Sequence, residues 1–99
     1  MNGHIASANL LIEIKTGTSA HCVYEAIGQL ELYLRLIPVV ANSDRALLIP
    51  NTRPLRPAMT AALASARVPV FTYSIKETGK KPHISFPSEF IERCRSCRH

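Results

Sequence analysis

Short apolar runs that alternate with helical stretches are the feature that most constrains the fold of this chain. Residues 9–15 read Asn-Leu-Leu-Ile-Glu-Ile-Lys and residues 46–50 read Ala-Leu-Leu-Ile-Pro, and both have the length and branched composition of buried strands. We expect a third strand at residues 68–74. Between the first two, residues 21–37 repeat apolar side chains at helical spacing up to Pro38, which predicts a helix. Such alternation is typical of right-handed crossovers and a largely parallel sheet.

The remainder of the chain adds a second helix, a turn and a less regular tail. Residues 58–66 are rich in alanine and follow Pro57, a residue that suits the first turn of a helix. We predict a charged turn over residues 75–81, a short strand at 83–86 and a helix that starts near Ser88. The order strand, helix, strand, helix, strand therefore predicts an α/β fold.

The composition is that of a folded protein with a basic surface. Of the 99 residues 46% are hydrophobic and 19% charged, so we expect one small domain, with its core at about residues 9–74 and a tail at 82–99. A net charge of +5 favours a polyanionic partner such as nucleic acid. No run reaches the roughly 20 apolar residues of a membrane span, and residues 1–7 do not resemble a secretion signal. We therefore expect a cytoplasmic protein that has no membrane partner.

The first helix is expected to present three kinds of surface. Its buried face is predicted to comprise Val23, Ala26, Ile27, Leu30, Leu34 and Ile37. Beside that face, Glu25, Gln29 and Tyr33 recur every four residues and form a second stripe. Leu32 and Leu36 leave the last two turns apolar around much of the circumference, which suggests a surface for a partner. In the second helix, the inward residues are predicted to be Met59, Ala62, Leu63 and Ala66.

Glu13 and Lys15 are ionisable residues within an otherwise apolar strand. Because they are two positions apart, their side chains point to the same face of that strand. A carboxylate there can hold a divalent metal, and a lysine beside it can orient a water molecule or stabilise charge on a phosphate. The alternative is an ordinary ion pair where the strand emerges into solvent, because Glu-x-Lys is a common sequence.

The sequence around these two residues resembles the PD-(D/E)XK nuclease superfamily, also called restriction-endonuclease-like. Leu-Leu-Ile-Glu-Ile-Lys-Thr-Gly is followed by a turn that Thr18 or Ser19 can cap, and then by a helix in which Gln29 and Tyr33 have Gln-x-x-x-Tyr spacing. A further strand, helix and strand come next, so the resemblance covers about residues 9–74. It implies a restriction-endonuclease-like half-core with a largely parallel or mixed sheet, and metal-dependent hydrolysis of phosphodiesters.

The resemblance also implies roles for individual residues. Glu13 would bind the metal, Mg²⁺ or Mn²⁺, and the carbonyl oxygen of Ile14 would be a second ligand. Lys15 would position the attacking water and balance the developing negative charge. Gln29 would reach toward the same site from the helix. In the alternative interpretation, Gln29 and Tyr33 are ordinary residues on the flank of the helix.

One acidic residue of that family has no counterpart in this chain. The first acid of the family's motif lies on the strand before Glu-x-Lys, but residues 1–12 contain no Asp and no Glu. They can supply at most one short strand and a turn, for instance around residues 3–6. Three explanations stay open: a decayed nuclease that folds without cutting, a second chain that completes the site, or replacement of the missing metal ligand by Glu25, one turn before Gln29.

Basic residues in two loops are candidates for contact with a phosphate backbone. Arg53 and Arg56 lie in the loop before the second helix, and Lys80 and Lys81 lie in the charged turn. We predict that these four residues bind nucleic acid. The alternative is solvated surface charge. The chain has three Tyr, three Phe and no Trp, and none is interleaved with these basic residues as a platform for stacking on bases.

The three cysteines are an odd set, which does not suggest a secreted disulfide framework. Cys94 and Cys97 have Cys-x-x-Cys spacing and could supply half of a zinc site, with His83 or a second chain adding ligands. We favour the alternative, in which both are reduced cysteines of the tail.

A second functional hypothesis is a non-catalytic interaction module. A short N-terminus would leave the Glu13 strand with an unpaired edge, and the first helix has an apolar end. Both features favour a homodimer, including one with exchanged strands.

Overall fold

A computed structural model of the chain describes residues 2–78 and 81–95, and in this part it contains five strands and three α-helices. In chain order the elements are β1 (Asn2–Ile5), β2 (Leu10–Ile14), α1 (Ala20–Leu36), a short 3-10 helix (Pro38–Val40), β3 (Asp44–Pro50), α2 (Pro57–Ser65), β4 (Val70–Thr78), β5 (Lys81–Ser85) and α3 (Ser88–Arg95). The predicted order of strand, helix, strand, helix, strand is confirmed from β2 to β4. The chain is therefore a small α/β domain with an additional strand on each side of this series.

The strands form one mixed sheet in the order in which they occur along the chain. β2, β3 and β4 are parallel, because α1 and α2 carry the chain back before each new strand. β1 runs antiparallel to β2, and β5 runs antiparallel to β4. The sheet curls at its β4 side, where residues 70–73 pair with β3 and residues 74–78 pair with β5.

Side chains cover both faces of the sheet, and two clusters of buried residues result. The cluster that includes α1 and α2 contains Leu11, Val23, Ala26, Leu30, Val40, Leu47, Ile49, Leu63 and Val68. The cluster that includes α3 contains Ala8, Leu10, Ile12, Ala46, Leu48, Tyr73 and Phe90. Successive side chains of β2 alternate between the two clusters, as a strand requires. The same alternation places Glu13 and Lys15 on the face that packs against α1.

The buried faces of the two central helices agree with prediction except at three positions. In α1 the residues that lie against the core are Val23, Ala26, Ile27, Leu30 and Leu34. Ile37 is 39% exposed, because α1 ends before it and its backbone is extended. In α2 Met59 and Leu63 face inward, but Ala62 and Ala66 are exposed. Met59 and Leu63 are one turn apart and form a single row against the sheet, so the two alanines fall beside that row.

The two ends of the chain are more regular than predicted. Residues 75–78 are not part of a turn, because β4 continues to Thr78 and pairs with β5, with Ile75 opposite Ile84. The predicted strand near residues 83–86 and the helix from Ser88 are confirmed. The single short N-terminal strand is also confirmed. It pairs with β2, so the unpaired edge that we predicted for the Glu13 strand is wrong.

Within residues 2–78 and 81–95, no helix is both long enough and apolar enough to cross a membrane.

Candidate functional site

Glu13 and Lys15 project together from the carboxyl end of β2 toward α1. The side chain of Glu13 is 0% exposed and that of Lys15 is 12% exposed, and the Nζ of Lys15 lies 3.8 Å from the Oε1 of Glu13. The prediction that both side chains share one face of the strand is therefore confirmed. They form an ion pair, as in the alternative interpretation, with the carboxylate of Glu13 buried and the ammonium of Lys15 partly exposed.

Contacts with two neighbouring strands hold the backbone of Lys15 where β2 ends. Its N–H donates to the carbonyl oxygen of Leu48 on β3 at 3.0 Å. The hydroxyl of Tyr73 on β4 donates to the carbonyl oxygen of Lys15 at 2.8 Å. Burial raises the pKa of the Tyr73 hydroxyl, so this group stays protonated and can donate at neutral pH. Three parallel strands thus fix the start of the loop that leads to α1.

The helix α1 brings a second carboxylate to Lys15. The helix begins after Ser19, whose Oγ accepts a hydrogen bond from the N–H of Cys22 at 3.2 Å, as predicted for one of two candidate caps. Glu25 lies in the second turn, and its Oε1 accepts a hydrogen bond from the Nζ of Lys15 at 2.5 Å. Both carboxylates therefore lie within 3.8 Å of one ammonium group.

These contacts shift the pKa values of Lys15 and Glu25 in opposite directions. The hydrogen bond to Glu25 raises the pKa of Lys15 above its ordinary value, although partial burial opposes this effect. The same hydrogen bond and the charge of Lys15 lower the pKa of Glu25. His21, whose Nε2 lies 3.4 Å from the Oε2 of Glu25, adds to that lowering. At neutral pH the site therefore contains a charged ammonium and an ionised Glu25.

Gln29 follows Glu25 by one turn on α1 and is partly buried. Its side-chain oxygen is buried and accepts no hydrogen bond within the described residues. The predicted approach of Gln29 to Glu13 and Lys15 stays a prediction. Tyr33, one turn further, packs against the core cluster of α1 and α2, which agrees with an ordinary residue of the helix flank.

Glu13 and Glu25 are suitable ligands for a small divalent cation. Mg²⁺ is commonly held by one or two carboxylates and completes its coordination with water. Here two carboxylates from different elements already share one positive group, the ammonium of Lys15. The described residues contain no group of three or more His, Cys, Asp and Glu side chains that could hold a metal. A magnesium or manganese site at Glu13, Glu25 and the carbonyl oxygen of Ile14 stays a prediction.

Arg53 and Arg56 line an open cavity of about 560 Å³ that begins near this site. The cavity is formed by the loop that follows β2 and the loop that follows β3, and its first lining residue, Gly17, is two positions after Lys15. Lys80 and the side chain of Lys81 lie outside the described residues. The structure therefore places two of the four predicted nucleic-acid-binding residues, Arg53 and Arg56, in one cavity with the loop that follows Lys15.

The predicted zinc half-site falls partly outside the described residues, because Cys97 is not among them. Cys94 lies on α3 and packs against the cluster that contains Phe90. Burial raises the pKa of its thiol, which disfavours the thiolate that zinc requires. His83 is exposed on β5, opposite Lys76.

His21 and Tyr73 are residues of the site that were not singled out from the sequence. His21 lies four positions before Glu25 on α1, and that helical spacing is a signal that would have identified it. Tyr73 contacts Lys15 across a separation of 58 residues, and no local pattern marks it.

Comparison of the chain with family models, with curated proteins and with solved structures finds no match.

Proposed function

We propose that the chain is a nuclease-like protein that binds the phosphate backbone of nucleic acid at the carboxyl end of β2 and hydrolyses it with Mg²⁺ or Mn²⁺. The observation that carries the proposal is the pair of carboxylates, Glu13 from β2 and Glu25 from α1, that contact the same ammonium group. Two carboxylates that approach the same ammonium group could hold a divalent cation in its place, and the lysine could contact a phosphate.

Among the three explanations for the missing acid, this geometry favours replacement by Glu25. Glu25 comes from a helix and not from the preceding strand, yet its carboxylate lies 2.5 Å from the Nζ of Lys15. The strand that does precede β2, Asn2–Ile5, carries no acidic residue. A helix-borne carboxylate would therefore serve in place of a strand-borne one.

Each residue has a definite part in the proposed reaction. Glu13 and Glu25 would hold the metal ion together with the carbonyl oxygen of Ile14. The bound ion would activate a water molecule and offset charge on the phosphate. Lys15, once its carboxylate partners bind the metal, would turn its ammonium to a phosphate oxygen. Gln29 would hold the water in place.

The test is Mn²⁺ binding, measured by calorimetry, combined with cleavage of labelled single-stranded and double-stranded oligonucleotides. We expect Glu13→Gln and Glu25→Gln each to weaken Mn²⁺ binding about tenfold or more, since each removes one of two anionic ligands. Lys15→Ala should abolish cleavage. Glu31→Gln is a matched control, because Glu31 is also on α1 but pairs with Arg35 and Arg45 instead.

Either of two results would contradict the proposal. One is Mn²⁺ binding by both glutamine variants that equals binding by the wild type. The other is cleavage that persists in Lys15→Ala, which would point to a contaminating nuclease.

The second candidate function is a non-catalytic homodimeric interaction module. A specific observation favours it: the end of α1 and the 3-10 helix present apolar side chains to solvent. Leu32 is 54% exposed, Leu36 71% and Val39 77%. The edge-strand version of this hypothesis is not retained, because β1 covers the edge of β2.

A further inference from the structure

The cavity that Arg53 and Arg56 line has the size of a small-molecule binding site. Its volume is about 560 Å³, and sites for small ligands occupy about 300–1,000 Å³. Its lining comprises residues 17–20, residues 52–56 and Met59 of α2. These loops leave the carboxyl ends of the neighbouring parallel strands β2 and β3, which is where open α/β sheets place their ligands.

The polar side of the cavity is strongly positive. Arg53 and Arg56 form no ion pair with any described residue, and no acidic residue lines the cavity. Arg35, Arg45 and Arg93 each contact a carboxylate, whereas Arg67 and Arg95, which do not line this cavity, resemble Arg53 and Arg56 in forming no ion pair with a described residue. Two guanidinium groups with no internal carboxylate partner are suited to an external anion, and their planar forks match phosphate oxygens.

The rest of the lining is suited to the uncharged part of a nucleotide. Leu55 and Met59 line the cavity and also pack against the core cluster of α1 and α2, so they form a fixed apolar wall. Pro54 and Ala20 extend that wall. Hydroxyl groups of Thr18 and Thr52 stand among the lining residues and can bond to a sugar or phosphate.

We propose that this cavity binds the terminal phosphate of a nucleotide. Arg53 and Arg56 would bind the phosphate, and the side chains of Leu55 and Met59 would pack against the sugar or base. The inference deepens the proposed function and rests on it in one respect: a nucleic-acid strand whose end occupies the cavity would continue toward Lys15, two residues before Gly17. A terminal phosphate can belong to a free nucleotide or to the end of a strand, and both are tested.

The experiment measures binding by fluorescence anisotropy in EDTA, so that the metal site plays no part. The probes are labelled single-stranded oligonucleotides that carry a 5′-phosphate, a 3′-phosphate or neither, and adenosine monophosphate and inorganic phosphate serve as competitors. We expect one phosphorylated end to bind about tenfold more tightly than the unphosphorylated strand, as charged hydrogen bonds of this kind allow. Displacement of the phosphorylated probe by adenosine monophosphate at a lower concentration than by the unlabelled phosphorylated strand would assign the cavity mainly to free nucleotides.

Three double variants separate a built site from general attraction to a basic protein. Arg53→Ala/Arg56→Ala should remove the preference for the phosphorylated end and weaken its binding about 10- to 100-fold. Arg53→Lys/Arg56→Lys keeps the positive charge but loses the planar guanidinium groups, which can each donate two parallel hydrogen bonds. It should therefore retain weak binding without a preference for the phosphorylated end. Lys76→Ala/Arg95→Ala removes the same charge outside the cavity and should lower binding of all probes alike.

The inference is overturned if the Lys76→Ala/Arg95→Ala variant loses as much of the phosphate preference as the Arg53→Ala/Arg56→Ala variant. It is equally overturned if the wild type binds phosphorylated and unphosphorylated strands with the same affinity. Neither result depends on Mn²⁺ binding or strand cleavage, so failure of the cavity and failure of the proposed nuclease site are distinguishable.

Discussion

Glu13 has a fully buried carboxylate, and its neighbours explain how the fold tolerates it. Removal of a carboxylate from water disfavours its charged form strongly unless opposite charge and hydrogen bonds compensate. The ammonium of Lys15 lies 3.8 Å away and is itself bound by Glu25. The interaction is therefore a network of three charged side chains, which we expect to contribute to stability as well as to function.

Removal of the ammonium is predicted to destabilise the protein. Lys15→Met takes a cation from beside a carboxylate that is 0% exposed, and breaking a buried pair in this way costs about 3 kcal/mol. Glu13→Gln introduced into the same variant should restore part of the loss, because it removes the buried charge. Urea denaturation of the single and double variants measures both effects. If the loss of unfolding free energy in the double variant equalled the sum of the losses in the two single variants, the interaction between the two charges would not be the cause.

The contact between Lys15 and Glu25 is predicted to make stability depend on pH. The pKa of Glu25 is lowered in the folded state, so its contribution is present above its ordinary value of 4.5 and is lost as the pH falls through the folded pKa. The pKa of Lys15 is raised, so its contribution is present below 10.5 and is lost as the pH rises through the folded pKa. The stability difference between wild type and Glu25→Gln should therefore shrink as the pH falls below 4.5 and as it rises above 10.5.

Urea denaturation from pH 2 to pH 11 measures this difference, with Glu89→Gln as the control. Glu89 lies on α3 and makes no ion pair within the described part of the chain. A difference between wild type and Glu25→Gln that increases below pH 4 would show that the carboxylate of Glu25 is not stabilised by its neighbours.

At the scale of single residues, the sequence predicts those contacts of the site whose residues are close together along the chain. Glu13 and Lys15 are two positions apart, and strand alternation alone places them together. Glu25 could be proposed but not chosen among the three explanations, because the angle between β2 and α1 decides whether its side chain reaches Lys15. The hydrogen bond from Tyr73 joins distant strands, so it depends on the register of the whole sheet.

The position of α1 as an element depends on its cap. Ser19 fixes the first turn, and Glu25 is on the second. Ser19→Ala is predicted to lower the free energy of unfolding by about 1 kcal/mol, because the N–H of Cys22 loses its acceptor. Ser19→Asp should keep most of the wild-type free energy of unfolding, because its carboxylate can accept the same hydrogen bond. Thr18→Ala is the matched control. Equal loss of stability in Ser19→Ala and Thr18→Ala, by urea denaturation, would contradict the capping role.

The elements themselves were largely predictable, since β2, β3, α1 and α2 follow from apolar periodicity and proline positions. β4 shows why the prediction failed beyond residue 74. Its second half carries Lys76 and polar neighbours, which resemble a charged loop in sequence, yet it forms a strand because β5 pairs with it. Such pairing provides hydrogen-bond partners for the backbone N–H and C=O groups of a polar segment. It depends on a second strand that local composition does not reveal.

The molecule as a whole is elongated, with principal extents of 42 × 30 × 20 Å. Among the described residues, apolar side chains are exposed on at least two surfaces. One is the end of α1 with the 3-10 helix, and another is the β4–β5 hairpin, where Ile75 is 51% exposed and Ile84 48%. A small basic domain with such surfaces has the means to associate with a second copy.

The end of α1 is the surface that we predict to mediate self-association. At tens of micromolar, light scattering should give twice the chain mass of 10.9 kDa for the wild type. Leu36→Glu/Val39→Glu should give a single chain, because charge on those exposed side chains opposes burial. Ile75→Glu/Ile84→Glu is the control and should remain dimeric. A monomeric wild type, or a dimer that only the hairpin variant disrupts, would contradict the prediction.

The position of Tyr73 gives the protein a built-in optical reporter. The chain has no tryptophan and three tyrosines, and Tyr73 is 6% exposed whereas Tyr24 is 67% exposed. Because its hydroxyl is bonded to the carbonyl of Lys15, its near-ultraviolet absorption and emission should change when that backbone segment moves. Ligand-induced rearrangement at the end of β2 can therefore be followed in unlabelled protein, with Tyr73→Phe as the spectroscopic blank.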